Sequence, residues 1–356
     1  MVTNLANHWA AAGRRIAVIT FADTDADYFA LDPRVDRIIS GGVGASHSVI
    51  GAATANLRRI KALRASLRNV RASTALAFIG ATNVLTILAA AGLGLTVIIS
   101  ERNDPARQSL GRPWDILRRL VYRYADLVTA NSKSALATLA NYVPDRKLRL
   151  AHNPVLAPDP LPERAPEPMI LTVGRLVPQK SQSELVDAFA QIAPEFPDWT
   201  LMIVGDGPDE KRLKAQATDL GLSDRITFAG RTDPWPFYAR ASIFALATQY
   251  EGTSNALLEA MTMGVPPVVS SASGGDLGLV VDGEDGLVTS AHTENSLVEV
   301  LRKLATDADL RRQLGRAAAN EASKFDLATV VGDWEKLVGL APASGLAKSD
   351  RRHQSA

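Results

Sequence analysis

Short runs of β-branched and aliphatic residues alternate along this chain with longer stretches in which apolar residues recur at helical spacing. In the first part of the chain these runs predict strands at residues 15–21, 74–80, 95–100, 127–131 and 148–151. In the second part they predict strands at MILTVG, LMIVG, RITFAG, IFALAT, PPVVSS and DGLVT. Regular alternation of strands and helices is typical of doubly wound α/β domains, in which helices cover both faces of a mainly parallel sheet.

A proline-rich segment at residues 154–168, PVLAPDPLPERAPEP, interrupts this alternation. Such a segment is stiff and extended, so it predicts a linker between a first domain at 1–153 and a second at 169–325. We expect a cleft between the two domains, faced by the carboxyl ends of the strands. Residues 340–356 have no apolar period and predict a disordered tail.

Residues 326–339 predict an amphipathic helix after the second domain. The apolar residues on one side of this helix are Leu327, Val330, Val331, Trp334 and Leu337.

The longest uncharged stretch, residues 72–100, has 29 residues and is long enough to span a bilayer. Gly80, Gly92, Gly94 and the polar pair Thr82-Asn83 divide it into TALAFIG, NVLTILAAAG and LTVIIS. We therefore interpret it as a buried strand–helix–strand unit and not as a membrane span.

Composition and charge narrow the classes of function. The chain has 356 residues, 46% of them apolar, which favours two domains with ordinary cores, and it has no cysteine. The missing cysteine excludes a disulfide framework, a thiolate zinc site and a cysteine nucleophile. The net charge of +1 hides an asymmetry, since residues 1–153 carry 20 Lys+Arg and 10 Asp+Glu whereas the rest carries 19 and 28. A basic half joined to an acidic half favours a polyanionic or membrane-surface partner.

The sequence EGTSNALLEAMTMGVPPVV, residues 251–269, predicts a short helix after a strand. Ser254 or Asn255 can cap the start of this helix, and Gly264 and Pro266 can end it. Free N–H groups at the helix start, together with the helix dipole, form an anion site at the end of the strand.

Two carboxylates, Glu251 and Glu259, flank this anion site. Carboxylates do not bind phosphates, which are also negatively charged. They can accept hydrogen bonds from hydroxyl groups on either side of a diphosphate, such as those of a ribose and a sugar. The alternative is that Glu251 is a solvated loop residue and Glu259 a surface helix residue.

The sequence GRLVPQKS, residues 174–181, follows the strand MILTV. Gly174 permits an unusual backbone there, and Arg175 and Lys180 place two cations at the same edge of the sheet. They could neutralise a diphosphate leaving group, although a Gly-Arg pair with a nearby lysine is also common without function. The glycines of VGDGP, residues 204–208, favour a tight turn between strand and helix.

Together these segments resemble the retaining GT-B glycosyltransferases of family 4. The resemblance covers nearly the whole chain and is most specific at Glu251 and Glu259, then at GRLVPQK, VGDGPDEKRL and FAGRTD. It implies two Rossmann-like domains and a closing helix, here at 326–339, that crosses back to the first domain. The sequence ISERNDPARQ at 99–108 is similar to a subgroup that builds lipid-linked exopolysaccharide, typified by amylovoran.

The resemblance also implies roles for individual residues. Glu251 would contact the transferred sugar and Glu259 the nucleotide ribose, while Arg175 and Lys180 would hold the diphosphate. The residues expected to bind the donor are Glu259, Gly174, Gly252, Thr253, Ser254 and Asn255.

The chain departs from the family pattern at three places. Many relatives have a histidine after the strand that is VIIS here, and this chain has Glu101, so Glu101 and Asn103 are the candidates on the first domain's side of the cleft. The glycine that usually follows the lysine is Ser181. The chain opens on a helix, VTNLANHWAAAG, and we hypothesise that an upstream strand and Gly-rich loop are encoded in the same frame.

No metal or other cofactor is expected, since the nucleotide-sugar is a substrate. The five histidines show no ligand spacing. Asp23, Asp25 and Asp27 mimic a calcium loop, but Tyr28 and Arg34 stand where such a loop needs Gly and Glu.

Residues 56–71, NLRRIKALRASLRNVR, predict a basic amphipathic helix with six cations opposite its apolar side. The positions that repeat at helical spacing are Leu57, Ile60, Leu63 or Arg64, Leu67 and Val70. The pattern suits a helix on an anionic bilayer, and the alternative is an ordinary helix that covers the sheet and has a solvated basic face. Both can hold if the apolar side lies on the sheet and only the cations face lipid. Aromatic residues do not interleave these charges, so nucleic acid is not expected as a partner.

The sequence thus predicts a transferase that moves a hexosyl or acetamidohexosyl group from a nucleotide-sugar, most simply a UDP-sugar, to a lipid-linked glycan. This reaction would serve bacterial surface polysaccharide synthesis, with the enzyme in the cytoplasm on the inner face of the cell membrane. Two alternatives are a sugar-nucleotide epimerase of the same shape and a non-catalytic nucleotide-sugar-binding protein.

Overall fold

The structure is a computed structural model that describes residues 1–22, 30–41, 49–249, 251, 253–271, 278–289 and 294–340. Asp23, Asp25, Asp27, Gly252 and the predicted tail beyond Leu340 lie outside these residues. The chain divides into two compact units. Unit 1 comprises Met1–Asn131, Ala135–Ala151 and the chain from Val330, and unit 2 comprises Ser132–Ser134 and His152–Thr329.

Unit 1 alternates helices and strands, as the apolar pattern predicts. Its strands are β1 (Ala17–Thr20), β2 (Asp36–Ile39), β3 (Thr74–Phe78), β4 (Thr96–Glu101), β5 (Leu127–Ala130) and β6 (Leu148–Leu150). Its helices are α1 (Val2–Ala11), α2 (Val49–Asn69), α3 (Gly80–Ala90), α4 (Arg112–Val121) and, from Ala135 on, α5 (Lys133–Leu139).

The described strands of unit 1 pair in parallel. β3, β4, β5 and β6 follow one another across one sheet, and β1 pairs with β2. The four-residue strand β2, DRII, was not predicted, because it is too short to show an apolar period. The interpretation of residues 72–100 is confirmed, since they form β3, α3 and β4. None of the described helices has both the length and the apolar character needed to cross a bilayer.

Helix α2 covers the sheet and also supports its neighbour α3. Leu63 and Leu67 are buried in the core of unit 1, with Ile60 packed against it. Arg64 donates to the carbonyl oxygens of Ala89 (2.8 Å) and Ala91 (2.6 Å), where a cation complements the C-terminal end of α3.

The prediction for the apolar side of the basic helix α2 is partly wrong. Leu57 is 52% exposed, because α2 enters the core cluster only from Ile60 onward.

Unit 2 contains a second doubly wound domain. Its strands are β7 (Met169–Val173), β8 (Thr200–Val204), β9 (Ile226–Gly230), β10 (Ile243–Leu246), β11 (Pro267–Ser270) and β12 (Leu287–Thr289). Its helices are α6 (Gln182–Ile192), α7 (Glu210–Asp219), α8 (Trp235–Arg240), α9 (Asn255–Thr262), α10 (Glu294–Thr306) and α11 (Ala308–Ala322). The strands are parallel in the order β12-β11-β10-β7-β8-β9, and separate apolar clusters fill the two faces of this sheet. The predicted α/β, doubly wound fold class is confirmed.

The last described helix, α12 (Leu327–Leu337), buries the predicted Val330, Val331 and Trp334. Its residues from Val330 on belong to unit 1. There the Trp334 ring lies 5.8 Å from that of Phe78, and the Arg102 guanidinium lies 5.3 Å from the Trp334 ring centroid. The buried Glu335 has Arg14 within 3.7 Å as its ion-pair partner.

We expect Trp334→Ala to destabilise the protein by about 3–5 kcal/mol, because it empties a buried aromatic site and removes one of the two rings on which Arg102 stacks. Urea unfolding would measure this loss. Lys336→Ala, on the exposed side of the same helix, should change the free energy of unfolding by less than about 0.5 kcal/mol. Equal effects of the two substitutions would contradict the packing described for α12.

Candidate functional site

The carboxyl ends of parallel strands β7 and β8 meet so closely that their loops pack backbone on backbone. The N–H of Gly174 donates to the carbonyl oxygen of Val204 at 2.9 Å. A Cβ on Gly205 would lie 1.9 Å from the carbonyl oxygen of Gly174, and a Cβ on Gly207 would lie 2.3 Å from that of Leu176. The glycines of the VGDGP segment are therefore needed for packing the loop after β7.

The loop after β7 is fixed to the loop after β10 through one carbonyl group. The carbonyl oxygen of Gln179 accepts hydrogen bonds from the Thr248 hydroxyl at 2.8 Å and from the Gln249 N–H at 2.9 Å. The predicted residues Lys180 and Glu251 are thereby brought together, and their side chains form an ion pair. Each of the two side chains is only 14% exposed, so the pair is largely shielded from water.

Arg175, the other predicted cation, lies in the same loop and is exposed. The carbonyl oxygen of Arg175 accepts a hydrogen bond from the Gln182 side chain at 2.9 Å, which fixes its backbone. Among the residues that the structure describes, its guanidinium has no hydrogen-bond or ion-pair partner. It can therefore bind an anion from solvent with both of its outer nitrogens.

Helix α9 begins at the same edge of the sheet. Of the two predicted capping residues, Ser254 caps the helix, since its hydroxyl accepts a hydrogen bond from the Leu257 N–H at 3.4 Å. Asn255 instead accepts one from the Asn153 side chain at 2.9 Å. Thr253 is buried, and Gly252 lies outside the described residues.

Glu259 lies one turn into α9 and is held by a tyrosine that the sequence did not single out. The Tyr238 hydroxyl donates to Oε2 of Glu259 at 2.9 Å. Burial raises the pKa of Glu259, and the hydrogen bond from Tyr238 opposes this rise. A carboxylate can accept about four hydrogen bonds, so the bond from Tyr238 leaves acceptor capacity on Glu259 for a ligand. Tyr238 lies in α8, twenty-one positions before Glu259, so the spacing of residues in the sequence does not reveal that the two side chains meet.

Ser181 ends the loop in a left-handed conformation, with φ +47°. This conformation explains why a glycine is usual in this position of the motif. The Ser181 side chain is 5% exposed, and its hydroxyl has no hydrogen-bond partner within the described structure.

In unit 1, the predicted candidates Glu101 and Asn103 form hydrogen bonds with different residues. Glu101 is 5% exposed and accepts a hydrogen bond from the Tyr122 hydroxyl, and Arg118 lies 4.0 Å away. The Asn83 side chain donates to the Tyr122 oxygen at 3.1 Å. Burial raises the pKa of Glu101, against the opposing effects of Tyr122 and Arg118. Asn103 lies in the following loop, where it donates to Gln108 at 2.6 Å.

No group of three potential ligand side chains that could hold a metal occurs among the described residues. That no metal is required stays a prediction.

Two family models match the chain: Glycosyltransferase Family 4 at residues 1–156 and Glycosyl transferases group 1 at residues 157–321. The lipopolysaccharide core biosynthesis glycosyltransferase LpsE of Rhizobium meliloti is 30% identical over 65% of this chain and 70% of LpsE. A Campylobacter jejuni α-1,4-N-acetylgalactosaminyltransferase, whose name specifies a diphospho-undecaprenol-linked glycan, is 26% identical over 79% of this chain and 78% of its own length. An exopolysaccharide phosphotransferase of Streptomyces coelicolor is 36% identical over 47% of this chain, but the match spans only 18% of that protein.

Among solved structures, Anabaena HepE in complex with UDP is similar in fold, with a TM-score of 0.78 and 20% identity. The similarity covers 95% of this chain and 94% of HepE. The GT-B fold predicted from the sequence is confirmed by such neighbours.

We expect the difference in the free energy of unfolding between Glu101→Gln and the wild type to shift in favour of the variant as the pH rises from about 4 to about 7. Because the pKa of Glu101 is raised in the folded state, folding takes up a proton in this range, and the wild type loses stability as the pH rises. Urea unfolding of both proteins across this range would measure the difference. The exposed Glu163→Gln is the matched control, and a difference for Glu101→Gln that does not vary with pH would contradict the burial described.

Proposed function

Because this chain belongs to the family 4 and group 1 glycosyltransferases, whose models match it at residues 1–156 and 157–321, we propose a specific transfer reaction for it. The proposed donor is a UDP-linked hexose or acetamidohexose, and the proposed acceptor is a lipid-linked glycan. The product retains the configuration of the donor's anomeric carbon.

The observation that carries this proposal is the pairing of Lys180 with Glu251 beside the exposed Arg175. In transfer from a nucleoside diphosphate sugar, negative charge develops on the departing diphosphate. Arg175 can bind two phosphate oxygens at once, and Lys180 can place a point charge beside them. Cations placed in advance at the developing charge lower the barrier, since they need not reorganise during the reaction.

The carboxylates complete the proposed donor site. Glu251 is held by Lys180, so in the donor complex it lies beside the diphosphate and orients hydroxyl groups of the transferred sugar. Glu259 accepts hydrogen bonds from the ribose hydroxyls, with Tyr238 positioning its carboxylate. The N-terminal N–H groups of α9 contribute further donors to the diphosphate.

Retention follows in this proposal from attack on the face that the diphosphate leaves. The bond between the anomeric carbon and the phosphate oxygen breaks, and a bond from that carbon to the acceptor oxygen forms. The acceptor's hydroxyl proton passes to the departing phosphate oxygen. Since the two side-chain cations supply the positive charge, the proposed reaction uses no metal ion.

The proposed acceptor class and location are supported by the relatives. The names of the LpsE and Campylobacter relatives specify lipopolysaccharide core synthesis and a diphospho-undecaprenol-linked acceptor. A lipid-linked acceptor and a nucleotide-sugar donor meet at the inner face of the bacterial cell membrane, and we place this enzyme there. Its product then serves surface polysaccharide synthesis.

Release of UDP from UDP-sugars, measured with and without a polyprenyl-diphosphate glycan, tests the proposed function. Acceptor-dependent release that persists with EDTA is the expected result. Conversion of the donor to an isomer that keeps its nucleotide would identify an epimerase, and binding without turnover would identify a binding protein.

Lys180→Ala should lower the acceptor-dependent release of UDP by about 100-fold, since it removes a cation from the leaving group.

Glu259→Ala should weaken UDP binding by about 10-fold to 100-fold, because hydrogen bonds between hydroxyls and a buried carboxylate are lost. Isothermal titration calorimetry would measure the dissociation constant. Tyr238→Phe should weaken it less, since that substitution frees the carboxylate without removing it. Unchanged UDP affinity in Glu259→Ala would remove Glu259 from the ribose site.

A further inference from the structure

Helix α4 in unit 1 turns large apolar side chains toward solvent. Ile116 is 59% exposed, Leu120 is 50% exposed and Tyr124, just after the helix, is 71% exposed. These residues are spaced four apart, so they lie on one side of the helix and of the 3-10 turn that extends it. Leu117 adds to the same surface at 37%.

The opposite side of α4 is firmly attached to unit 1. Val121 and Tyr122 are buried in the core, and Trp114 packs against it. Arg118 is buried and donates to Asp115 at 2.9 Å, and Asp115 also accepts the Leu110 N–H at 3.1 Å. The apolar surface is therefore a fixed part of a well-packed helix.

The charges around this apolar surface are mainly positive. Arg112, Arg119 and Arg123 are exposed along α4 and its extension, and the Arg123 guanidinium lies 5.9 Å from the Tyr124 ring centroid. The acid on the helix, Asp115, is engaged by Arg118 and Ser109.

Helix α3 packs against both α4 and α2. Helix α2 and the turn after it carry the exposed cations Arg58, Lys61, Arg68 and Arg71. The α2–α3–α4 layer thus combines an apolar ridge with a broad positive surface.

We propose that α4 is the membrane-docking element of this protein, and that its partner is a bilayer containing anionic lipids. Ile116, Leu120 and Tyr124 enter the boundary between headgroups and acyl chains, while the arginines contact the headgroup phosphates. Each cation near an anionic surface adds to the attraction. This assignment rests on the lipid-linked acceptor of the proposed function.

The sequence alone favoured α2 for this contact. Ile60, Leu63 and Leu67 are however used by the core, so α2 contributes its cations but little apolar surface.

Flotation of the full chain with phosphatidylcholine vesicles, with and without phosphatidylglycerol, tests the proposal. The wild type should float with the anionic vesicles. Ile116→Ser combined with Leu120→Ser should reduce the bound fraction by about tenfold or more, because two apolar side chains no longer enter the bilayer. Arg112→Gln combined with Arg119→Gln should reduce the preference for anionic vesicles.

Two single variants serve as controls. Leu57→Ser on α2 and Leu220→Ser in unit 2 change equally exposed leucines and should float like the wild type. Undiminished flotation of the α4 double variant would overturn the proposal, as would loss of flotation in Leu57→Ser alone.

Two further measurements separate the possible causes. Unchanged UDP affinity and unchanged thermal unfolding in the α4 variant would show that lost flotation is not misfolding. A wild type that floats but neither binds nor turns over UDP-sugars would refute the proposed function and leave the docking surface intact. A wild-type dimer in sedimentation that the α4 substitutions dissociate, without flotation of the wild type, would assign the surface to a second copy of the chain instead.

Discussion

The arrangement of unit 2 depends on the two hydrogen bonds that the Gln179 carbonyl oxygen accepts from the loop after β10. The carboxyl ends of parallel strands all lie at one edge of the sheet, so the loops that follow them are crowded together. Glycines relieve this crowding where the β7 and β8 loops touch, since a single Cβ on Gly205 would collide with the Gly174 carbonyl. The hydrogen bonds of Gln179 in turn hold the loop after β7 against the loop after β10, where Lys180 of the one and Glu251 of the other form a shielded pair. The candidate chemistry is thus a consequence of backbone packing.

Much of this arrangement could be predicted from local sequence. The capped start of α9, its buried leucines and the strand–helix–strand unit at residues 72–100 follow from apolar period, capping residues and glycines. What could not be predicted depends on residues distant in sequence. Tyr238 reaches Glu259 from another helix, Glu101 turns into the core toward Tyr122, and Leu57 stays exposed because the core does not extend to it. Periodicity shows that a helix has an apolar side, but only packing shows where that side finds a partner.

Some cations in the first half of the chain stabilise the fold, and others are exposed to solvent. Arg64 stabilises the end of α3, Arg118 lies buried beside Asp115, and Arg102 stacks on two aromatic rings. Arg102 is half-buried, and burial lowers its pKa to about 10. Among the exposed cations, Arg58, Lys61 and Arg68 lie on α2, and Arg112 and Arg119 lie on α4. A charge count therefore overestimates the surface potential, and the location of each arginine decides whether it serves folding or binding.

The ion pair between Lys180 and Glu251 would also affect the rates of the proposed reaction. Without a ligand, the lysine already has a counter-ion within the protein, so in that proposal an incoming diphosphate meets a cation that is already partly neutralised. After the proposed transfer, the same carboxylate would compete with the nucleotide for the lysine and favour release of the nucleotide. Such a site would give up some affinity for the donor, and in return it would be less easily blocked by its own product or by inorganic phosphate.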